Sequence, residues 1–93
     1  MIHHKADNVG VAIDDIRAGE EVDTIYIEDK TRGPRVKALE DVPLGHKIAL
    51  RDIREGDDVI KYGRSIGRAV KYIAAGEHVH THNVKSKRWS FGQ

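Results

Sequence analysis

The chain has 93 residues, which is room for one small domain and not for two. It has no cysteine, which excludes disulfides, thiolate metal sites and a thiol nucleophile. Sixteen Lys and Arg stand against 15 Asp and Glu, interspersed along the chain, so there is no broad basic field for nucleic acid. No apolar run approaches the roughly 20 residues that cross a bilayer, so no membrane partner is expected. The opening Met1-Ile2-His3-His4-Lys5-Ala6-Asp7 lacks the apolar segment of a secretory leader, which points to a cytoplasmic location.

From the N-terminus, the first regular feature is a segment that recurs. Ala12, Ile16, Gly19, Glu20 and Val22 have the same spacing as Ala49, Ile53, Gly56, Asp57 and Val59, and as Ala69, Ile73, Gly76, Glu77 and Val79. The intervals between copies are unequal, which argues for one compact fold that reuses a corner rather than for a solenoid. Within the corner, the glycine falls where the chain must reverse and can take a positive φ. The acid after it can cap free backbone N–H groups, and the valine begins an extended stretch. After the first corner, Thr24-Ile25-Tyr26-Ile27-Glu28 alternates with period two, Asp29-Lys30-Thr31-Arg32-Gly33-Pro34 is turn chemistry, and Arg35 to Leu39 alternates again. Residues 24–39 are thus predicted to form a β-hairpin.

Farther on, Asp41-Val42-Pro43-Leu44-Gly45-His46 reads as a loop, because Pro43 cannot donate to a ladder. Val59 to Gly63 reads as extended, and Tyr62 to Ala69 as a glycine-punctuated link. No window sustains a helical stripe. About eight short strands and three corners give a compact all-β domain over residues 1–85. A basic and aromatic tail over 86–93 follows, with fraying expected at 1–5 and 86–93.

The histidines carry the candidate chemistry. On a strand, His78, His80 and His82 would share one face, with neighbouring Cα atoms about 6.5–7 Å apart, close enough for imidazoles to converge on a divalent metal. No acid lies in that row, so the metal site would be incomplete without ligands from elsewhere in this chain or another. A solvated face or a subunit contact is the plainer alternative. His46 and Lys47 form a second candidate pair, which Gly45 would present at a loop edge to shuttle a proton or bind a carboxylate. Its plain alternative is a surface loop. His3 and His4 are expected to be solvated. Serine occurs only at positions 65, 86 and 90, and phosphate-binding glycine motifs are absent. Trp89 and Phe91 sit beside Lys85-Ser86-Lys87-Arg88, to pack on the domain or dock on a partner chain.

Several stretches in order carry a resemblance: Asp7-Asn8-Val9-Gly10-Val11-Ala12, Gly45 to Ile53, Val59 to Gly63, Ile66-Gly67, and Ala74-Ala75-Gly76-Glu77-His78-Val79-His80-Thr81-His82-Asn83. Over residues 2–88 the chain resembles the N-terminal SAF domain of the altronate and galactarate dehydratase family. The resemblance implies a β-clip fold, in which short strands double back on themselves. It also implies a lyase acting on sugar acids, a divalent metal such as iron in the full complex, and a much longer catalytic region. That region is expected on a separate large subunit, because the chain ends at Gln93. The ending His82 to Trp89 is similar to the stand-alone small subunits of sulfolactate sulfo-lyase, whose leaving group is sulfite rather than hydroxide. A non-catalytic ligand-binding SAF module is the remaining alternative. The small subunit is not expected to be active alone.

Overall fold

A computed structural model describes residues 1–86, and its architecture follows from the corners. In the three repeated segments the glycine has a left-handed backbone, with φ of 89° at Gly19, 88° at Gly56 and 92° at Gly76. A fourth segment does the same. Ala38, Val42, Gly45, His46 and Ile48 repeat the spacing, and Gly45 has φ 84°. This copy is hidden in the sequence because Val42 replaces the isoleucine, His46 replaces the acid, Ile48 replaces the valine and Pro43 signals a loop.

The corners work in pairs. Gly19 N–H donates to the Ala38 carbonyl at 2.7 Å, and Gly45 N–H returns the bond to Ala12 at 2.8 Å. In the second pair Gly56 donates to Ala69 and Gly76 to Ala49, both at 2.8 Å. Antiparallel bridges join Ile16 to Val42 and Ile53 to Ile73. Acids cross between partners to occupy exposed backbone donors: Leu44 N–H donates to Asp15 at 2.8 Å, Ala18 N–H to Asp41 at 2.8 Å and Ala75 N–H to Asp52 at 2.9 Å.

Each pair closes its own apolar core. Ala12, Ile16, Ala38, Val42 and Ile48 pack with Ile2, Val36 and Leu50. Ala49, Ile53, Val59, Ala69, Ile73 and Val79 pack with Val9. These are small side chains, and each fully buried Val or Ile contributes about 1.5–3 kcal/mol of transfer free energy.

Eight strands result: β1 (Val9–Val11), β2 (Glu21–Val22), β3 (Val36–Lys37), β4 (Lys47–Ala49), β5 (Asp58–Lys61), β6 (Arg64–Ala69), β7 (His78–Val79) and β8 (Val84–Ser86). No helix occurs among the described residues, and all named strand pairs are antiparallel. β4 lies at the centre of the sheet β1-β4-β7, β2 pairs with β3, and β6 lies between β5 and β8. Strands of two to six residues that reverse at paired corners form an all-β fold that doubles back on itself, as the resemblance implies.

Several expectations need adjustment. The hairpin exists, but its pairing begins at Glu21 and its turn covers residues 27–29. Its inward face carries a polar side chain. Thr24 is buried and donates its hydroxyl to the Pro34 carbonyl at 2.6 Å, whereas Ile25 and Ile27 are 51% and 39% exposed. The expected link at 62–69 is mostly strand β6. Tyr62 and Gly63, both at positive φ, make the two-residue turn that leads into it. Buried Asp7 holds that turn by accepting the N–H groups of Tyr62 at 3.1 Å and Gly63 at 2.8 Å. The first residues are anchored rather than frayed. Ile2 is buried, and the Met1 ammonium donates to the Val11 carbonyl at 2.8 Å. Trp89, Phe91 and most of the expected tail lie outside the described residues.

The corners differ in what an added methyl group would meet. A Cβ at Gly56 finds open space, whereas one at Gly76 would overlap the Lys37 carbonyl oxygen. Gly56→Ala should therefore cost only the backbone strain, about 1–2 kcal/mol. Gly76→Ala should cost about 3 kcal/mol or more, because steric overlap adds to that strain. Urea unfolding of the two variants measures the difference.

Candidate functional site

The fourth corner delivers His46 to the start of β4. At two other corners the residue after the glycine caps the turn: Glu20 accepts the Arg17 N–H at 3.1 Å, and Glu77 accepts the Ala74 N–H at 3.0 Å. The residue at the donor position of the fourth corner is Pro43, which has no N–H. Position 46 therefore has no donor to cap, and its imidazole reaches across to β7. His46 Nδ1 lies 2.8 Å from His78 Nε2.

Strand register explains the meeting. Ile48 pairs with His78 and Lys47 with Val79, so the next step places His46 opposite His80. The ring centroids lie 4.9 Å apart for His46 and His78, 4.6 Å for His46 and His80, and 5.5 Å for His78 and His80.

The straight row of His78, His80 and His82 is not formed. β7 ends at Val79, and Asn83, fully buried, turns the chain. Its Oδ1 accepts the His80 N–H at 2.9 Å and its Nδ2 donates to the His78 carbonyl at 2.8 Å. The side-chain amide thus replaces the ladder bonds that would have continued the strand. As a result, His46, His78 and His80 offer ring nitrogens all within 4.8 Å of one another, while His82 joins His78 in a second group with Glu40. Glu40, which the sequence reading did not single out, is the one carboxylate near these rings in that grouping.

Lys47 is not a partner of His46 in a simple pair. Strand alternation sends it to the other face of β4, alongside Val79. Burial pushes its ammonium below the ordinary lysine value, and the charge of Lys61 adds to this. Lys61 was also missed, because nothing in the sequence shows that β5 brings it near β4. His78 is pushed below the ordinary histidine value, first by burial and then by His46, His82 and His80, with Glu40 opposing. His80 moves the same way, first by burial and then through His46, Lys47 and His82. His3 and His4 stand apart from the cluster: His3 packs on the Tyr62 ring at 4.3 Å, and His4 Nδ1 accepts the Ala6 N–H at 3.0 Å. A cavity of about 430 Å³ lies between Ile13, Ile25 and Ile27, and no histidine lines it.

The cluster suits the kind of metal that the resemblance implies. Two nitrogen ligands at about 2.05 Å from a first-row metal are about 2.9–3.4 Å apart, so the 2.8 Å between His46 and His78 needs little adjustment. Neutral imidazoles are ordinary ligands of zinc, iron, cobalt and nickel.

Comparison with known proteins agrees with this architecture. The sequence profile of the altronate/galactarate dehydratase SAF domain matches residues 1–87, and the chain belongs to that family. It is 43% identical over 90 residues to the (2R)-sulfolactate sulfo-lyase subunit alpha of Chromohalobacter salexigens, covering 96% of this chain and 95% of that protein. Against the corresponding subunit of Paracoccus pantotrophus it is 53% identical over 55 residues, covering 59% of this chain and 82% of that protein. It is also 42% identical over 83 residues to the altronate dehydratase of Bacillus subtilis, covering 89% of this chain but only 15% of that enzyme. The relatives are subunits or parts of lyases.

The depressed imidazoles have a pH signature. The folded values of His78 and His80 lie below the unfolded value of 6.5, so the unfolded chain binds more protons between the two. The stability these groups contribute is present above pH 6.5 and is lost as pH falls to and through the lowered values. NMR titration of the metal-free chain should give ring midpoints below 6.5 for both residues. Midpoints at or above 6.5 would show that the rings are not held together.

Proposed function

We propose that this chain is the small, SAF-domain subunit of a lyase that acts on hydroxylated carboxylic acids, with the main catalytic region on a separate large chain. The reading rests on one observation above others. Three imidazoles from two distant segments converge beside the edge strand β7, apart from the cavity of about 430 Å³, which none of them lines. Family membership and the likeness to lyase subunits support it.

The reaction class is β-elimination. A base takes the proton α to the carboxylate, the C–H electron pair becomes the new double bond, and the β substituent leaves with its bonding pair. In a dehydratase it leaves as hydroxide and becomes water on protonation. The developing enolate needs positive charge or hydrogen-bond donors nearby. Lys47, on the other face of β4, and Lys61 near it add positive potential close to the cluster. His46, His78 and His80 form a polar wall that can hold substrate oxygens and exclude disordered water. A divalent cation held by the same three residues would supply Lewis-acid polarisation. The large chain completes the site. The exposed side chains of Ile13, Ile25 and Ile27 give an apolar face suited to contact with another protein.

The primary reading is a hydro-lyase acting on sugar acids such as altronate or galactarate. A second reading, 3-sulfolactate with sulfite leaving, is favoured by the nearly complete coverage of the sulfo-lyase subunit. Co-expression with a large dehydratase-like chain, followed by assays on altronate, galactarate and 3-sulfolactate, tests both. The expected outcome is a stable pair active on one acid, negligible turnover by the 93-residue chain alone, and at least tenfold lower activity for the pair carrying His46→Ala. Failure of the pair to associate would remove the basis of the subunit reading, as would full turnover by the isolated chain.

A further inference from the structure

We infer that this chain by itself binds one first-row divalent cation through His46, His78 and His80, and that His82 and Glu40 do not belong to the ligand set. The inference uses the same cluster as the lyase reading but concerns the isolated chain, so each can fail without the other.

Three observations carry it. The first is preorganisation. His46 and His78 already stand at 2.8 Å between ring nitrogens, and the three rings are mutually packed at centroid distances of 4.6–5.5 Å. Little ordering remains to be done when a cation enters, which favours affinity. The second is support behind the ligands. His78 is in a strand paired with β4, the backbone of His80 is fixed by buried Asn83, and His46 follows a corner closed by the Gly45 to Ala12 bond. Ligands placed on such fixed backbone keep their geometry. The third is the departure at position 46. Residues at the same place in the other three corners are Glu20, Asp57 and Glu77, and only this corner carries an imidazole aimed at two others.

The second group, Glu40 with His78 and His82, shares His78 with the first. For a single ion the two groups are alternatives. Two features favour the first. The side chain of Glu40 makes no hydrogen bond that would orient it among the described residues. His46, by contrast, is already engaged with His78. Binding replaces the His46–His78 hydrogen bond with two metal–nitrogen bonds and uses the His46 lone pair. His46 is then unavailable as a proton carrier, so proton abstraction in a lyase complex falls to a group of the large chain.

The test uses the metal-free 93-residue chain titrated with Co²⁺, read by visible absorption and by calorimetry. The expected result is saturable binding at one ion per chain. His46→Gln and His80→Ala should each weaken binding at least tenfold, whereas His82→Ala and Glu40→Gln should leave it within threefold. Glutamine is chosen at 46 because it keeps a polar side chain of similar reach at the corner. A readout without mutation guards against a folding defect: Zn²⁺ should shift the ring ¹⁵N resonances of His46, His78 and His80 in the unaltered chain and spare those of His82. Absence of saturable one-to-one binding would overturn the inference. So would a loss that follows His82 and Glu40 in place of His46 and His80.

Discussion

The reciprocal bond between corner glycines and corner alanines is the constraint on which the rest depends. Each glycine N–H donates to the alanine carbonyl that opens the partner corner, and the partner glycine returns the bond. Two corners so joined bring one Ile or Val from each into an antiparallel bridge and bury it. The geometry calls for a positive φ, which glycine takes without the strain other residues incur, and glycine occupies all four places. The chain has strands of only two to six residues and no cysteine, so it relies on backbone ties between distant segments. The paired corners supply them, and each pair holds one of the two apolar cores together.

The histidine cluster is a local variation on that scheme. At two of the other three corners the residue after the glycine serves the turn: Glu20 and Glu77 each accept a backbone N–H. Pro43 removes the donor at the fourth corner, so the carboxylate has nothing to accept there. The imidazole of His46 is then free to face β7. The same β4 that leaves this corner pairs with β7, which fixes His78 opposite Ile48 and sets His46 near His80. Buried Asn83 stops β7 after Val79 and keeps His80 in reach. Fold and site thus share one set of backbone bonds. His46 occupies a place where the residue that caps other corners has no donor to accept.

Much of this was legible in the sequence. The alanine, isoleucine, glycine and valine spacing exposed three corners, and glycine density with short apolar runs excluded helices. The motifs from Gly45 to Asn83 carried the family. The fourth corner stayed hidden because of its departures, Pro43 and His46, the latter a member of the histidine cluster. Recognising His78, His80 and His82 as unusual required only their alternation. Their arrangement did not follow, since a strand continues only while ladder partners last, and here the Asn83 amide takes them over. Contact between His46 and His78 depends on the pairing of β4 with β7, which no local pattern encodes. The orientation of residues 24–27 did not follow from their alternation, for a related reason: Thr24 enters the interior because its hydroxyl finds the Pro34 carbonyl, and the apolar isoleucines face out.

The dependence of position 46 on Pro43 is the central physical claim, and a double-mutant cycle measures it directly. His46→Glu in the natural chain gains no backbone donor to cap. In a Pro43→Ala background it gains the new N–H, as Glu20 and Glu77 have at their corners. Urea unfolding of the parent, both single variants and the double variant should show a favourable coupling of about 0.5–1 kcal/mol. Stabilities that add within about 0.3 kcal/mol would contradict the account, because position 46 would then be independent of the missing donor.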